Sequence, residues 1–189
     1  LRGERRNVQE RQATLHNAID WSWHLLEPWE KLALAQISLF HGGFTLEAAE
    51  DVVSIDDWKD SPWVIDVLQA LCDKSLLRVR ESIPGQDRFF LYESIREYAT
   101  GQHLSPEAVL DEAGDSLTGP DGLDDTAQRM AFHYAQYGTP EYRTSLWTHG
   151  GVDRLRLLQL ELDNLLTSMH RSIATKNSDL AAKILFAVC

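Results

Sequence analysis

The sequence predicts a mainly helical chain carrying one β-hairpin, on three observations. Apolar residues recur at three- and four-residue spacing through most of its length. That period breaks at Leu76-Leu77-Arg78-Val79-Arg80, where apolar and charged residues alternate, and Pro84-Gly85 turns the chain back toward Arg88. The extended run Arg88-Phe89-Phe90-Leu91 then passes abruptly into an amphipathic helix headed by Glu93. Three helices, a two-stranded hairpin and a helix is the order of a winged helix. The helical stretches after it suit the antiparallel helix pairs of an α-solenoid.

Taken in order, residues 1–12 are polar and read as an exposed arm. Thr14 is placed to cap a helix to about Leu26, with Leu15, Ile19 and Leu26 on one face. Glu27-Pro28 starts a second helix, since Pro suits a first turn and Glu27 and Glu30 suit that end of the dipole. It is apolar nearly all round and predicts a core helix to about Phe40, ended by His41-Gly42-Gly43. Thr45 caps a short third helix to about Val53, and a fourth runs from about Pro62 to Ser75 with Val64, Val67, Leu68, Leu71 and Cys72 inward. Two strands alone are marginal in water, so the hairpin must lean on these helices. Glu93 to about His103 follows, with Ile95, Tyr98 and Ala99 as its stripe.

From Ser105 to Asp125 acids accumulate with Gly and Pro and without Lys or Arg, which reads as a solvated linker or long loop. Helices are then expected over about 126–137, as one long element over about 152–174, and from Asn177 onward. The domain organisation is accordingly 1–26 as arm and leading helix, 27–104 as winged helix, 105–125 as acidic linker and 126–189 as the start of a helical-repeat domain.

Composition narrows the function. The chain has 189 residues and a net charge of −11. A field of that sign repels phosphate backbones and argues against nucleic acid as a partner. Two distant cysteines favour a reducing, cytoplasmic setting, and no apolar run approaches the roughly 20 residues that span a bilayer. A chain that lacks an initiator Met and stops in an apolar helical pattern is expected to be cut from something longer. No Gly is followed by Lys, so the GxxxxGK[ST] phosphate loop is absent and no ATP hydrolysis by this chain alone is expected. The histidines show no HExxH or other ligand spacing, so no metal is assigned.

Several motifs, in order, resemble a known family. They are Arg11-Gln12-Ala13-Thr14-Leu15 with Ala18-Ile19-Asp20-Trp21-Ser22, then Ser38-Leu39-Phe40-His41-Gly42-Gly43-Phe44-Thr45-Leu46, Leu71-Cys72-Asp73-Lys74-Ser75-Leu76, and Leu91-Tyr92-Glu93-Ser94-Ile95-Arg96-Glu97-Tyr98-Ala99. Leu160-Glu161-Leu162-Asp163-Asn164-Leu165 looks like the junction into tetratricopeptide-type repeats. The family resembled is the STAND group of P-loop ATPases with NB-ARC-type modules, including multidomain transcriptional regulators with AfsR-like or LuxR-like ends. The resemblance implies a winged helix that closes over ADP on a neighbouring nucleotide-binding domain and swings away on exchange for ATP. It implies ATP or ADP in the parent protein and no cofactor in this segment. Its partners would be the nucleotide-binding and repeat domains of the same chain. Related proteins place Met-His-Asp where this chain has Leu91-Tyr92-Glu93, which makes Tyr92 and Glu93 nucleotide-sensing candidates. A tyrosine offers a hydroxyl donor in place of an imidazole, and Glu93 keeps the acid.

Simpler readings compete at each position. Tyr92 as a buried aromatic and Glu93 as a helix-start acid explain the same residues. Arg11 and Arg96 suit solvated or salt-bridged helix faces, and Trp21, Trp23 and Trp29 suit packing between helices. The leading functional expectation is a regulatory and interaction segment coupling nucleotide state to ligand sensing. Against it stand a DNA-binding winged-helix domain and a plain protein-docking scaffold. For DNA binding, helix 62–75 would enter the major groove, yet it carries Asp66 and Asp73 against Lys74, and only Arg78, Arg80 and Arg88 on the wing add positive charge.

Overall fold

The computed structural model describes residues 14–188. Residues 14–24 are helical (α1), Thr14 among them. The expected arm, Arg11 and Cys189 lie outside the described residues. Pro28 occupies the first turn of α2 (Pro28–Ile37), where the Glu27 amide donates to the Glu30 carboxylate at 2.8 Å. Leu32, Ala33, Leu34, Ala35 and Ile37 are all buried, as expected of a core helix. Thr45 caps α3 (Leu46–Val52) by accepting from the Ala48 amide at 3.2 Å. Helix α4 (Val64–Asp73) buries Val67, Leu68 and Leu71.

The hairpin pairs β1 (Leu77–Ile83) with β2 (Gln86–Leu91) antiparallel, with Arg78 opposite Phe90 and Arg80 opposite Arg88. A two-way backbone bridge between Phe44 and Phe89 ties the loop before α3 to β2 (N–O distances 3.0 and 2.8 Å). Stacked rings of Phe40, Phe44 and Phe89 fill the space behind it. Helix α5 (Glu93–Leu104) completes the winged helix and holds α1 through Tyr98, whose hydroxyl donates to Asp20 at 2.7 Å.

Beyond it come α6 (Pro120–Ala135), a 3-10 turn at Gln136–Gly138, α7 (Pro140–Ser145), α8 (Gly151–Leu160), α9 (Leu162–Ala174) and α10 (Ser178–Val188). Their apolar faces join the winged helix in one continuous core, in which Met130, Tyr134, Leu165 and Ile184 are fully enclosed. Among the described residues the chain is therefore mainly helical with a single two-stranded hairpin.

Several expectations need correction. Helix α2 stops at Ile37, so the glycine pair does not cap it. Gly42 and Gly43 (φ +73° and +90°) instead turn the chain beneath the wing. Part of the supposed linker is helix, because Pro120 opens α6 and carries Asp121, Asp124 and Asp125 on its first turns. The rest, 105–119, is a loop, the second of the two expected forms. Val109 is buried, and the Asp111 carboxylate accepts from the Ala113 and Asp115 amides at 2.9 and 2.7 Å. The long helix expected over 152–174 is assigned as two, α8 and α9, with Glu161 alone between them.

Candidate functional site

The residues at the wing base look inward. Arg88 leaves β2 and is only 1% exposed, and its guanidinium forms an ion pair with the equally buried Glu161. It also donates to the carbonyls of Gly43 (3.0 Å) and Leu160 (3.3 Å). The second Glu161 oxygen accepts from the Tyr134 hydroxyl at 2.7 Å and from the Asn164 amide at 2.8 Å. Asn164 donates as well to Gly43 O at 2.8 Å and accepts the His41 amide at 2.6 Å. Burial, and then the Glu161 charge, push the Tyr134 hydroxyl well above its ordinary pKa, so it stays a donor.

The backbone of Glu161, the one residue between α8 and α9, stays in the helical ladder, its amide donating to the Leu157 carbonyl at 3.1 Å and its carbonyl accepting from the Leu165 amide at 2.8 Å. The knot joins its carboxylate to a wing residue 73 positions away in sequence. It also unites two sequence motifs: His41-Gly42-Gly43-Phe44 and Leu160-Glu161-Leu162-Asp163-Asn164 are the two sides of one contact. Gly43 admits no side chain there, since a Cβ would sit 2.6 Å from the Phe90 ring and 2.9 Å from the Phe89 carbonyl.

Beside the knot, a cavity of about 470 Å³ opens between the hairpin, the 40–44 loop, the start of α5 and α9. Glu93 and Arg96 stand at its α5 wall, and Arg96 ties Glu93 with two nitrogens, one of them at 3.1 Å. That hydrogen bonding holds the Glu93 carboxyl below its usual range. The third Arg96 nitrogen lies 2.8 Å from His41 Nε2, while His41 Nδ1 lies 2.9 Å from the Leu39 carbonyl. A carbonyl only accepts, so the proton is assigned to Nδ1 and Nε2 accepts from Arg96. Burial and the Arg96 charge lower the His41 pKa accordingly.

Tyr92 and Glu93 are thus neighbours with different surroundings. Glu93 lines the cavity. Tyr92 is 48% exposed, so it is not the buried aromatic of the simpler reading, and the Arg78 guanidinium lies 4.9 Å from its ring centroid. Sequence reasoning missed Arg88, Glu161 and Asn164 as a functional group. The one available signal was an arginine inside an otherwise apolar strand end. Trp23 packs in the core against Tyr98, as expected, whereas Trp21 is exposed.

The faces relevant to other chemistries are equally concrete. The outward side of α4 presents Ile65, Asp66, Gln69 and Asp73. Of the wing arginines, Arg88 is spent in the knot and Arg78 is half-buried over the Phe90 and Tyr92 rings, which leaves Arg80 exposed. Among the described residues no cluster of three or more His, Cys, Asp or Glu could hold a metal ion, and no helix is long and apolar enough to cross a membrane.

Residues 26–103 match the winged helix-turn-helix domain. Proteins from Mycobacterium bovis and from two Mycobacterium tuberculosis strains, provisionally named HTH-type transcriptional regulators, are 34% identical to the chain over 168 residues. The match takes in 87% of this chain, which spans 17% of the length of those relatives. No solved structure matches it.

Proposed function

We propose, from the premise that residues 26–103 form a winged helix-turn-helix domain in a chain homologous to provisionally named HTH-type transcriptional regulators, that this segment transmits a regulatory state through protein contacts inside such a regulator. The observation that carries this reading is the burial of Arg88 against Glu161, which turns the wing into an internal docking element. A buried charge pair is weak evidence for stability, but it fixes one arrangement of two parts and penalises others.

The proposal extends to the parent protein. A STAND-type nucleotide-binding module elsewhere in the regulator holds ADP or ATP, tetratricopeptide-type repeats continue from α8–α10, and the protein works in the cytoplasm. The ordered motifs quoted above support this extension, as does the position of Glu93 at a polar cavity. On this reading the segment has no ATPase activity of its own, and measurable turnover by the purified chain counts against it.

The second reading is duplex DNA binding by the winged helix. The comparisons favour it over the ATPase reading, because the match is to a winged helix-turn-helix domain and the relatives are named as transcriptional regulators. It has to contend with the carboxylates on α4, with Arg88 buried in the knot and with Arg78 half-buried over two rings. Fluorescence anisotropy with labelled duplex DNA separates the two. Protein coupling predicts no salt-dependent binding by the purified chain, whereas binding that steepens at low salt and falls on Arg80→Ala moves the conclusion to DNA. In the full-length regulator, Glu161→Gln should change transcriptional output, and unchanged output weighs against coupling through the knot.

A further inference from the structure

We infer that the cavity between the wing and α9 is a binding site for a small zwitterion of the amino-acid type, its carboxylate held by Arg78 and its ammonium by Asp163. Each charged group around the cavity can be accounted for. Arg96 and Glu93 neutralise one another, and His41 is engaged on both ring nitrogens. Two groups are left over. Arg78 has no hydrogen-bond or ion-pair partner among the described residues, and its Nε is buried. The Phe90 and Tyr92 rings, 5.6 and 4.9 Å from its guanidinium carbon, set its position without using its donors. Asp163 is exposed and also lines the cavity, its carboxylate beside Gly42, and among the described residues it has no ion pair or hydrogen bond.

One unspent guanidinium fork and one unspent carboxylate face the same space. A planar fork matches a carboxylate with two parallel hydrogen bonds, and an isolated carboxylate suits an ammonium. A dianionic phosphate fits poorly, because Glu93 and Asp163 both line the cavity and the charged walls sum to zero. Thr167 and His170 continue the face of α9 that begins at Asp163 and offer hydrogen bonds to the body of the ligand. The volume lies within the roughly 300–1,000 Å³ of small-molecule sites. Gly43 lines the cavity and gives its carbonyl to Arg88 and Asn164, so an occupant would touch the joint between the winged helix and the later helices. The inference concerns binding only and stands apart from whether the winged helix contacts protein or DNA.

Isothermal titration of the purified chain with the standard amino acids one at a time tests it, with acetate, ethylamine and inorganic phosphate as single-charge probes. At least one zwitterion should bind while the single-charge probes do not. Arg78→Gln and Asp163→Asn should each weaken that binding roughly ten- to hundredfold. Asp163→Asn keeps the test valid if Arg78→Gln fails to fold, since the carboxylate is exposed and unpaired. Binding of none of the amino acids, binding that survives Asp163→Asn, or binding of phosphate in their place overturns the inference.

Discussion

Replacing Arg88 by alanine should be among the most damaging single changes in the chain. The substitution strands the Glu161 carboxylate at 0% exposure, with only the neutral Tyr134 hydroxyl and Asn164 amide to hold it. Breaking one side of a buried ion pair costs about 3–5 kcal/mol. At about 2–4 °C per kcal/mol for a chain of this length, melting should fall by about 6–20 °C. Glu161→Ala should cost a similar amount, because it leaves a buried guanidinium with the Gly43 and Leu160 carbonyls alone. The pair Arg88→Met with Glu161→Leu removes both charges. It should lose only about 1–3 kcal/mol, mainly for the Tyr134 hydroxyl left without an acceptor. Denaturant unfolding of the two singles and the double closes a double-mutant cycle. Single losses under about 1 kcal/mol, or a double equal to their sum, would refute the reasoning.

The glycine beneath the wing gives a second check. Gly43→Ala should cost about 2–4 kcal/mol for its left-handed backbone and the collision with Phe90, whereas Gly85→Ala, also left-handed but with open space around it, should cost about 1–2 kcal/mol. A third concerns acid. His103 is fully buried between α5 and its neighbours, and burial pushes its pKa down to about 4 from 6.5. The unfolded chain therefore binds more protons between those values, so stability should fall by about 3 kcal/mol as pH drops through that window, and His103→Leu should remove that part of the slope. Equal pH slopes for the two proteins in urea titrations would contradict it. Thr45→Ala should lower stability by about 1 kcal/mol through the lost cap of α3, measured as a shift in denaturant midpoint at unchanged slope.

Much of the fold is legible in the sequence because local signals carry it. The Thr45 cap, the Glu27-Pro28 start and the Pro84-Gly85 turn each act within a few residues, and all three sit where the pattern puts them. The boundary at Glu161 is different. Leu155, Leu158, Leu162 and Leu165 keep helical spacing straight through it, as do the Glu161 backbone hydrogen bonds, so nothing local in sequence marks Glu161 as the partner of Arg88. The acidic stretch misled because composition counts charge without its direction. Asp121, Asp124 and Asp125 are exposed on α6, while Val109 and Thr118 anchor the loop before it. Helix α7 went unseen although Thr139-Pro140 signals a start, and Thr139 does accept from the Tyr142 amide. Of the candidate site, Glu93 was legible as an acid at a helix start. The unpaired Arg78 and Asp163 were not, because each is defined by the absence of a partner in three dimensions.

The account rests on the wing and the later helices forming one locked body. Spin labels at Ser82→Cys on the wing and Thr175→Cys after α9, with Cys72 and Cys189 replaced by serine, measure this directly by pulsed electron resonance. A single narrow distance distribution that broadens on adding Arg88→Ala is the predicted result. A broad distribution in the protein that retains Arg88 and Glu161 would contradict it.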